Sequence, residues 1–148
     1  MKYFTSEWWG SGCEGADGVF EKYQQYIASV KHRLPKAAVT FDAHHTLHDS
    51  EVKEIVSNFT KKETRLSFLG WNTGFNTKTK YHLTFTGVSI FEQHLPPDEY
   101  VGSELGDIGY WEWEALSEGT ELRMIFASSA MFRLVFKDLE FAHESVQA

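Results

Sequence analysis

The chain has 148 residues, with 14 lysines and arginines against 21 aspartates and glutamates, and an apolar content of 42%. This length fits one domain, 1–148, and the apolar content excludes a disordered chain. The formal charge of −7 argues against nucleic acid and anionic membranes as partners, and allows a basic protein. No apolar run reaches the length of a membrane span or signal peptide, and the single cysteine, Cys13, lacks an internal disulfide partner. These features predict a cytoplasmic protein.

The N-terminal part predicts a strand, a loop and a helix. Residues 1–16 are expected to form a short strand and then a glycine-rich loop, since Gly10, Gly12 and Gly15 leave the backbone many conformations. Residues 17–34 have the apolar spacing of a helix, with Asp17 as its N-cap. The apolar face of this helix comprises Val19, Tyr23, Tyr26, Ile27 and Val30.

Residues 36–143 are predicted to form an antiparallel sheet, because apolar and polar residues alternate in several short segments. Short connections at 117–120 and 127–130 favour hairpins and an up-and-down strand order. The alternation changes phase at Lys137 and Asp138, which predicts a β-bulge. The expected fold class is α+β, with one N-terminal helix packed on a curved sheet of about six strands. The pattern leaves open whether this sheet partly closes into a barrel.

Three segments carry a family resemblance. They are residues 1–9 (M-K-Y-F-T-S-E-W-W), 47–53 (L-H-D-S-E-V-K) and 83–88 (L-T-F-T-G-V). Together they resemble an uncharacterised bacterial family, classed as a domain of unknown function, and this resemblance implies no catalytic residues. The L-H-D-S segment is also similar, more loosely, to bacterial immunity-type proteins that neutralise toxins. That second similarity implies an inhibitor.

A histidine-rich segment is the first candidate site. It contains Asp42, His44, His45, His48 and Asp49. On a helix, His44 and His48 would share one face, and three histidines can form a zinc site with an open position. The alternative is structural: Asp49 and Ser50 hydrogen-bond the turn into the next strand while His48 packs at the sheet edge.

Five tryptophans are the second candidate. Trp111 and Trp113 are two residues apart, so both are expected on the core face of one strand. Trp8 and Trp9 are adjacent and precede Gly10, which favours exposure of one indole for a partner or a small ligand.

An acidic stretch is the third candidate. Its members are Asp98, Glu99, Glu104, Asp107, Glu112, Glu114, Glu118 and Glu121. It is interpreted either as a solvated surface or as a face that steers a basic protein into contact.

The predicted function is a non-catalytic protein-binding module, in the form of an immunity-type inhibitor of a basic toxin. Its binding residues are expected among Trp8, Trp9, His48, Asp49, Glu112, Glu114 and Glu118. One alternative is a metal-dependent enzyme that uses His44, His45, His48 and Asp49, and another is a small-ligand binder that uses exposed tryptophans. No cofactor and no catalytic residue are predicted, and the oligomeric state is left open.

Overall fold

The computed structural model describes residues 1–96 and 104–146. The helices in these ranges are α1 (Ser6–Gly10), α2 (Ala16–Val30) and α3 (Lys36–His44), and a 3-10 turn (Lys31–Arg33) follows α2. The strands are β1 (Glu51–Asn58), β2 (Glu63–Trp71), β3 (Lys78–Thr86), β4 (Ile90–His94), β5 (Ile108–Leu116), β6 (Gly119–Phe126), β7 (Met131–Phe136) and β8 (Asp138–Ser145). None of the described helices has the length and apolar character needed to cross a membrane.

The strands form two antiparallel sheets of four strands each, in the orders β1-β2-β3-β8 and β4-β7-β6-β5. Each sheet is a three-strand meander completed by an edge strand from the other half of the sequence, because β8 pairs with β3 and β4 pairs with β7. The sheets are not closed into a barrel. The α+β class is therefore confirmed, whereas the expected single sheet of about six strands is wrong, since the described residues supply eight strands in two sheets.

The chain crosses between the sheets twice, and both crossings occur at the same place. It leaves the first sheet at Gly87, where φ is +64°, and returns to it at Lys137. The Lys137 N–H donates to the Thr86 carbonyl oxygen at 2.9 Å, and a Cβ on Gly87 would lie 2.5 Å from Lys137 Cγ. The predicted bulge at Lys137 and Asp138 is therefore wrong: the change of phase in the apolar pattern marks a change of sheet.

One core joins the two sheets. Phe85 on β3 and Phe136 on β7 make an edge-to-face contact with their ring centroids 4.9 Å apart. The period-two alternation correctly identified the inward side chains of the central strands, which are at most 1% exposed: Leu66, Phe68, Tyr81, Leu83, Phe85, Leu122, Met124, Phe126, Phe132, Leu134 and Phe136.

Helix α2 covers the edge strand β5 with two tyrosines of its apolar face. The Tyr23 hydroxyl accepts from the Trp113 backbone N–H at 2.8 Å, and the Tyr26 hydroxyl accepts from the Ala115 N–H at 2.9 Å. These bonds satisfy backbone donors that an uncovered edge strand would leave free. The predicted Asp17 cap is wrong, because Gly15 is the N-cap residue and Asp17 lies within the first turn, where its charge suits the helix dipole.

Two helices replace elements that were expected to be strand, loop or sheet. In α1, the Thr5 hydroxyl caps the helix by accepting from the Trp8 N–H at 3.1 Å, so the strand expected in residues 1–16 does not form. In α3, Ala38 and Phe41 are buried in the core. Thr40 and Phe41 have weak helix propensity, so the sequence did not predict a helix here. Burial of Ala38 and Phe41 stabilises the helix by more than this weak propensity costs.

Candidate functional site

The outer face of the second sheet carries a row of paired charges. Four side chains lie directly opposite one another across β4, β7, β6 and β5: Glu92, Arg133, Arg123 and Glu112. Between the two arginines, the Glu121 carboxylate accepts from both Arg123 and Arg133. Glu121 therefore separates the two positive charges. Four carboxylates of this face have internal partners: Glu92, Glu112, Glu114 and Glu121.

Residues 1–5, which we call the N-terminal strap, cover part of this charged face. The backbone N–H groups of Lys2 and Tyr3 donate to the Glu112 carboxylate at 2.9–3.2 Å, and the Lys2 ammonium pairs with Glu114. Glu112 is fully buried as a result. It lies beneath the strap and not on an open acidic surface.

The remaining acidic residues are dispersed. Glu104, Asp107 and Glu118 are exposed. Asp98 and Glu99 lie outside the described residues. The described part of the acidic stretch is therefore divided between exposed carboxylates and a paired, largely buried group formed by Glu112, Glu114 and Glu121.

The structure separates the histidines of the histidine-rich segment. Helix α3 ends at His44, and His45 is already extended, so His44 and His48 do not share a helical face. The His45 ring packs on Tyr81 and lies 4.4 Å from the His143 ring. His48 Nδ1 bonds the Gly109 carbonyl oxygen at 2.7 Å, while Nε2 lies 3.5 Å from an Asp49 oxygen. Within residues 1–96 and 104–146, no three side chains of His, Cys, Asp or Glu have an arrangement suited to a metal ion.

Acid is expected to destabilise the fold through His45. Burial, aided by the neighbouring His143 and His44, lowers the pKa of His45 from its ordinary value of 6.5. Because the folded-state pKa is below the unfolded one, the contribution of the neutral ring is fully present above pH 6.5 and is lost as the pH falls through the folded-state pKa.

Lowering the pH from about 7.5 to 5.5 is therefore expected to reduce the free energy of unfolding less in the His45→Phe variant than in the wild type. Urea titrations at the two pH values measure this difference. His32→Phe, at an exposed position, serves as the control. Equal acid sensitivity in His45→Phe and the wild type would contradict this assignment.

Tyr110 on β5 brings together residues that the sequence presented separately. Its ring lies 5.1 Å from Trp8, 5.4 Å from Trp9 and 6.1 Å from His48, measured between centroids. The Cys13 sulfur is 3.6 Å from the tyrosine hydroxyl. Burial, together with the bond to Cys13, raises the pKa of Tyr110 to about 12, so the phenol stays neutral at physiological pH. Both indoles are half-buried, and neither projects freely from the surface.

Asp42 is held by the two tryptophans of β5. Trp111 Nε1–H donates to Asp42 Oδ1 at 3.1 Å, and Trp113 Nε1–H donates to Oδ2 at 2.8 Å. Solvent reaches Asp42, yet protein atoms crowd its carboxyl group. This partial loss of hydration raises the pKa of Asp42 to about 6, against the opposing effect of the two indoles, so the group is mostly ionised at pH 7.

A groove opens beside this carboxylate, between α2 and the end of α3, with β5 as its floor. One cavity of about 210 Å³ is lined by Phe4, Phe20, Tyr23, Gln24, Asp42, Tyr110 and Trp111. A second, of about 290 Å³, shares Tyr23, Gln24 and Asp42 with it and extends along α2 to Lys31. We call the first cavity, with its seven lining residues, the Asp42 groove. Among these seven, Asp42 carries the charge at pH 7 and five side chains are aromatic.

The Asp42 groove was only partly visible in the sequence. The sequence pattern groups Asp42 with the histidines and places Trp111 and Trp113 on the core face of a strand. Trp113 is buried as expected, but its indole N–H reaches Asp42, and Trp111 is half-buried at the groove. Their spacing of two residues, on one strand face, was the signal that they act together.

Comparison with protein families identifies this chain as a member of the family described as "Protein of unknown function (DUF4085)", whose model matches residues 2–134. The predicted resemblance to a domain family of unknown function is thereby confirmed. Neither a curated protein nor a solved structure matches the chain significantly.

Proposed function

We propose that this member of the family is a non-catalytic protein-binding module with a basic partner. The observation that carries the proposal is the solvent-accessible Asp42 carboxylate, oriented by two indole donors in an aromatic groove. Aromatic faces attract cations, and a nearby carboxylate strengthens this attraction. An inhibitor of a basic toxin, of the immunity type, is one protein of this kind, and a cytoplasmic location belongs to the same proposal.

Long-range charge supports this proposal independently of the groove. The formal charge of −7 would accelerate encounter with a basic protein. Glu104, Asp107 and Glu118 are exposed and available for this steering, whereas Glu112 is buried. The expected binding role of the acidic stretch therefore moves to its exposed members.

The two alternatives receive less support from the geometry. A metal-dependent enzyme needs its histidines to converge, and the His45 ring packs on Tyr81 while His48 bonds the Gly109 carbonyl oxygen. A small-ligand binder that uses tryptophans needs an enclosing pocket beside them, and the cavities lined by Trp111 and Trp113, of about 210 and 290 Å³, are each below the range of about 300–1,000 Å³ that such sites occupy. A single protein side chain fits this size better.

The proposal predicts that capture of a basic partner depends on Asp42. With immobilised protein and native lysate, Asp42→Asn is expected to retain about tenfold less of the dominant basic protein, because a charge-assisted contact is lost. Glu21→Gln is the matched control, since it removes one exposed negative charge from α2 outside the groove. Equal retention by Asp42→Asn and the wild type would count against the proposal.

A further inference from the structure

We propose that the Asp42 groove binds an arginine side chain, and that this arginine belongs to the basic partner of the proposed function. The inference rests on that function and goes further by naming the group that is recognised. It depends on three features of the groove: the orientation of its carboxylate, its aromatic walls and the position of a neighbouring lysine.

The geometry of the Asp42 carboxylate suits a bidentate hydrogen-bond donor. One indole bonds each oxygen of Asp42, so both oxygens are fixed in position. An ionised carboxylate has about four acceptor positions, and two remain available after the indoles are bound. A guanidinium group donates two parallel N–H bonds to such a pair of oxygens, whereas an ammonium group is a point donor that does not exploit this geometry.

The walls suit a flat cation. Phe20 is 42% exposed and Trp111 is half-buried, so both rings can be reached from the groove. Phe4 is 3% exposed and stacks on Tyr110 with their planes 19° apart, so it supports the wall from behind. Planar guanidinium groups stack on such faces in addition to the cation–π attraction. Asp42 supplies a compensating charge at the groove, so a bound arginine would not be left as an unpaired cation.

A lysine near the groove indicates on which side of Asp42 a cation would bind. Lys31 lines the second cavity at the far side of Asp42 and Tyr23. A cation is therefore expected on the side of Phe20 and Tyr110, away from Lys31. This places the guanidinium beside the Trp111 indole, which provides a local spectroscopic reporter.

The experiment uses three small probes on the intact chain: the N-acetyl amides of arginine, lysine and citrulline. Citrulline has the shape of arginine without its charge. The readout is the NMR signal of the Trp111 indole N–H, which a Trp111→Phe variant identifies. The arginine probe is expected to shift this signal saturably and to bind at least about fivefold more tightly than the lysine probe, with no saturable shift from citrulline.

Variants test the two halves of the groove separately. Asp42→Asn is expected to weaken binding of the arginine probe by at least about tenfold, and Phe20→Ala by about two- to fivefold. Because Phe20 is partly exposed, its replacement tests the aromatic wall even where Asp42→Asn perturbs the indole bonds. Glu21→Gln is expected to bind as the wild type does, and thermal unfolding of each variant confirms that it is folded.

Equal binding of the arginine and lysine probes, or binding that is unchanged in Asp42→Asn, would overturn the arginine assignment. If a basic protein is still retained through Asp42 in that case, the proposed function stands and the arginine inference alone fails. If the arginine probe binds but no basic protein is retained, the proposed function fails while the groove keeps its specificity.

Discussion

Replacing Arg123 with alanine is expected to lower the free energy of unfolding by about 3–5 kcal/mol. Arg123 is 7% exposed and contacts Glu112, Glu114 and Glu121, of which Glu112 is fully buried and Glu121 is 5% exposed. Removing the cation leaves Glu112 with only its N–H donors from the strap and Glu121 with only Arg133. Two buried carboxylates lose the cation that they share, and this cost exceeds the value of the ion pairs themselves. The loss is measured by urea unfolding at neutral pH.

Arg65→Ala is the matched control, because the ion pair of Arg65 with Glu54 is solvent-exposed and is expected to contribute less than about 1 kcal/mol. A second test uses Glu112→Gln in the Arg123→Ala background. This double variant is expected to regain part of the lost stability, because one of the two buried negative charges that lost their cation has been removed. A loss below about 1 kcal/mol in Arg123→Ala would show that the carboxylates do not depend on this arginine.

The paired charges also show where sequence reasoning reached its limit. The alternation of apolar and polar residues predicts which side chains of β6 point inward, but it places Glu121 on a solvated or partner-steering surface. Glu121 is instead buried in an ion-paired group with Arg123 and Arg133, and the strap bonds the neighbouring Glu112 of β5. Lys2 and Glu112 are separated by 110 residues, and no local pattern in either segment predicts their contact. Whether the outer face of a strand is buried depends on what packs over it. The alternation of residues along the strand does not predict this.

The Asp42 groove was limited in the same way. The helix α2 was predicted closely, at 17–34 against the observed Ala16–Val30, because its spacing is a local property. Asp42 and its indole partners are 69 and 71 residues apart, and they meet only because α3 packs beside β5. The sequence contained the residue types of the groove, but the placement of α3 depends on core contacts that a single sequence does not reveal.

Phe41→Ala is expected to cost about 3–5 kcal/mol of unfolding free energy, the second large effect. Phe41 is fully buried and makes edge-to-face contacts with Tyr81 at 5.3 Å and Phe141 at 5.4 Å. It attaches α3 to the first sheet, so its removal leaves a cavity at this attachment. Because Asp42 is the next residue, loosening α3 is also expected to weaken its bonds to Trp111 and Trp113 in the folded variant.

Two measurements separate these consequences. Urea unfolding gives the stability, and the indole N–H signals of Trp111 and Trp113 report the bonds to Asp42. Phe59→Ala is the control, since Phe59 is 90% exposed and its replacement is expected to change stability by less than about 0.5 kcal/mol. Unchanged indole signals in a destabilised Phe41→Ala variant would mean that the two indoles of β5 hold Asp42 without help from Phe41. The bonds from Trp111 and Trp113 would then fix the position of α3.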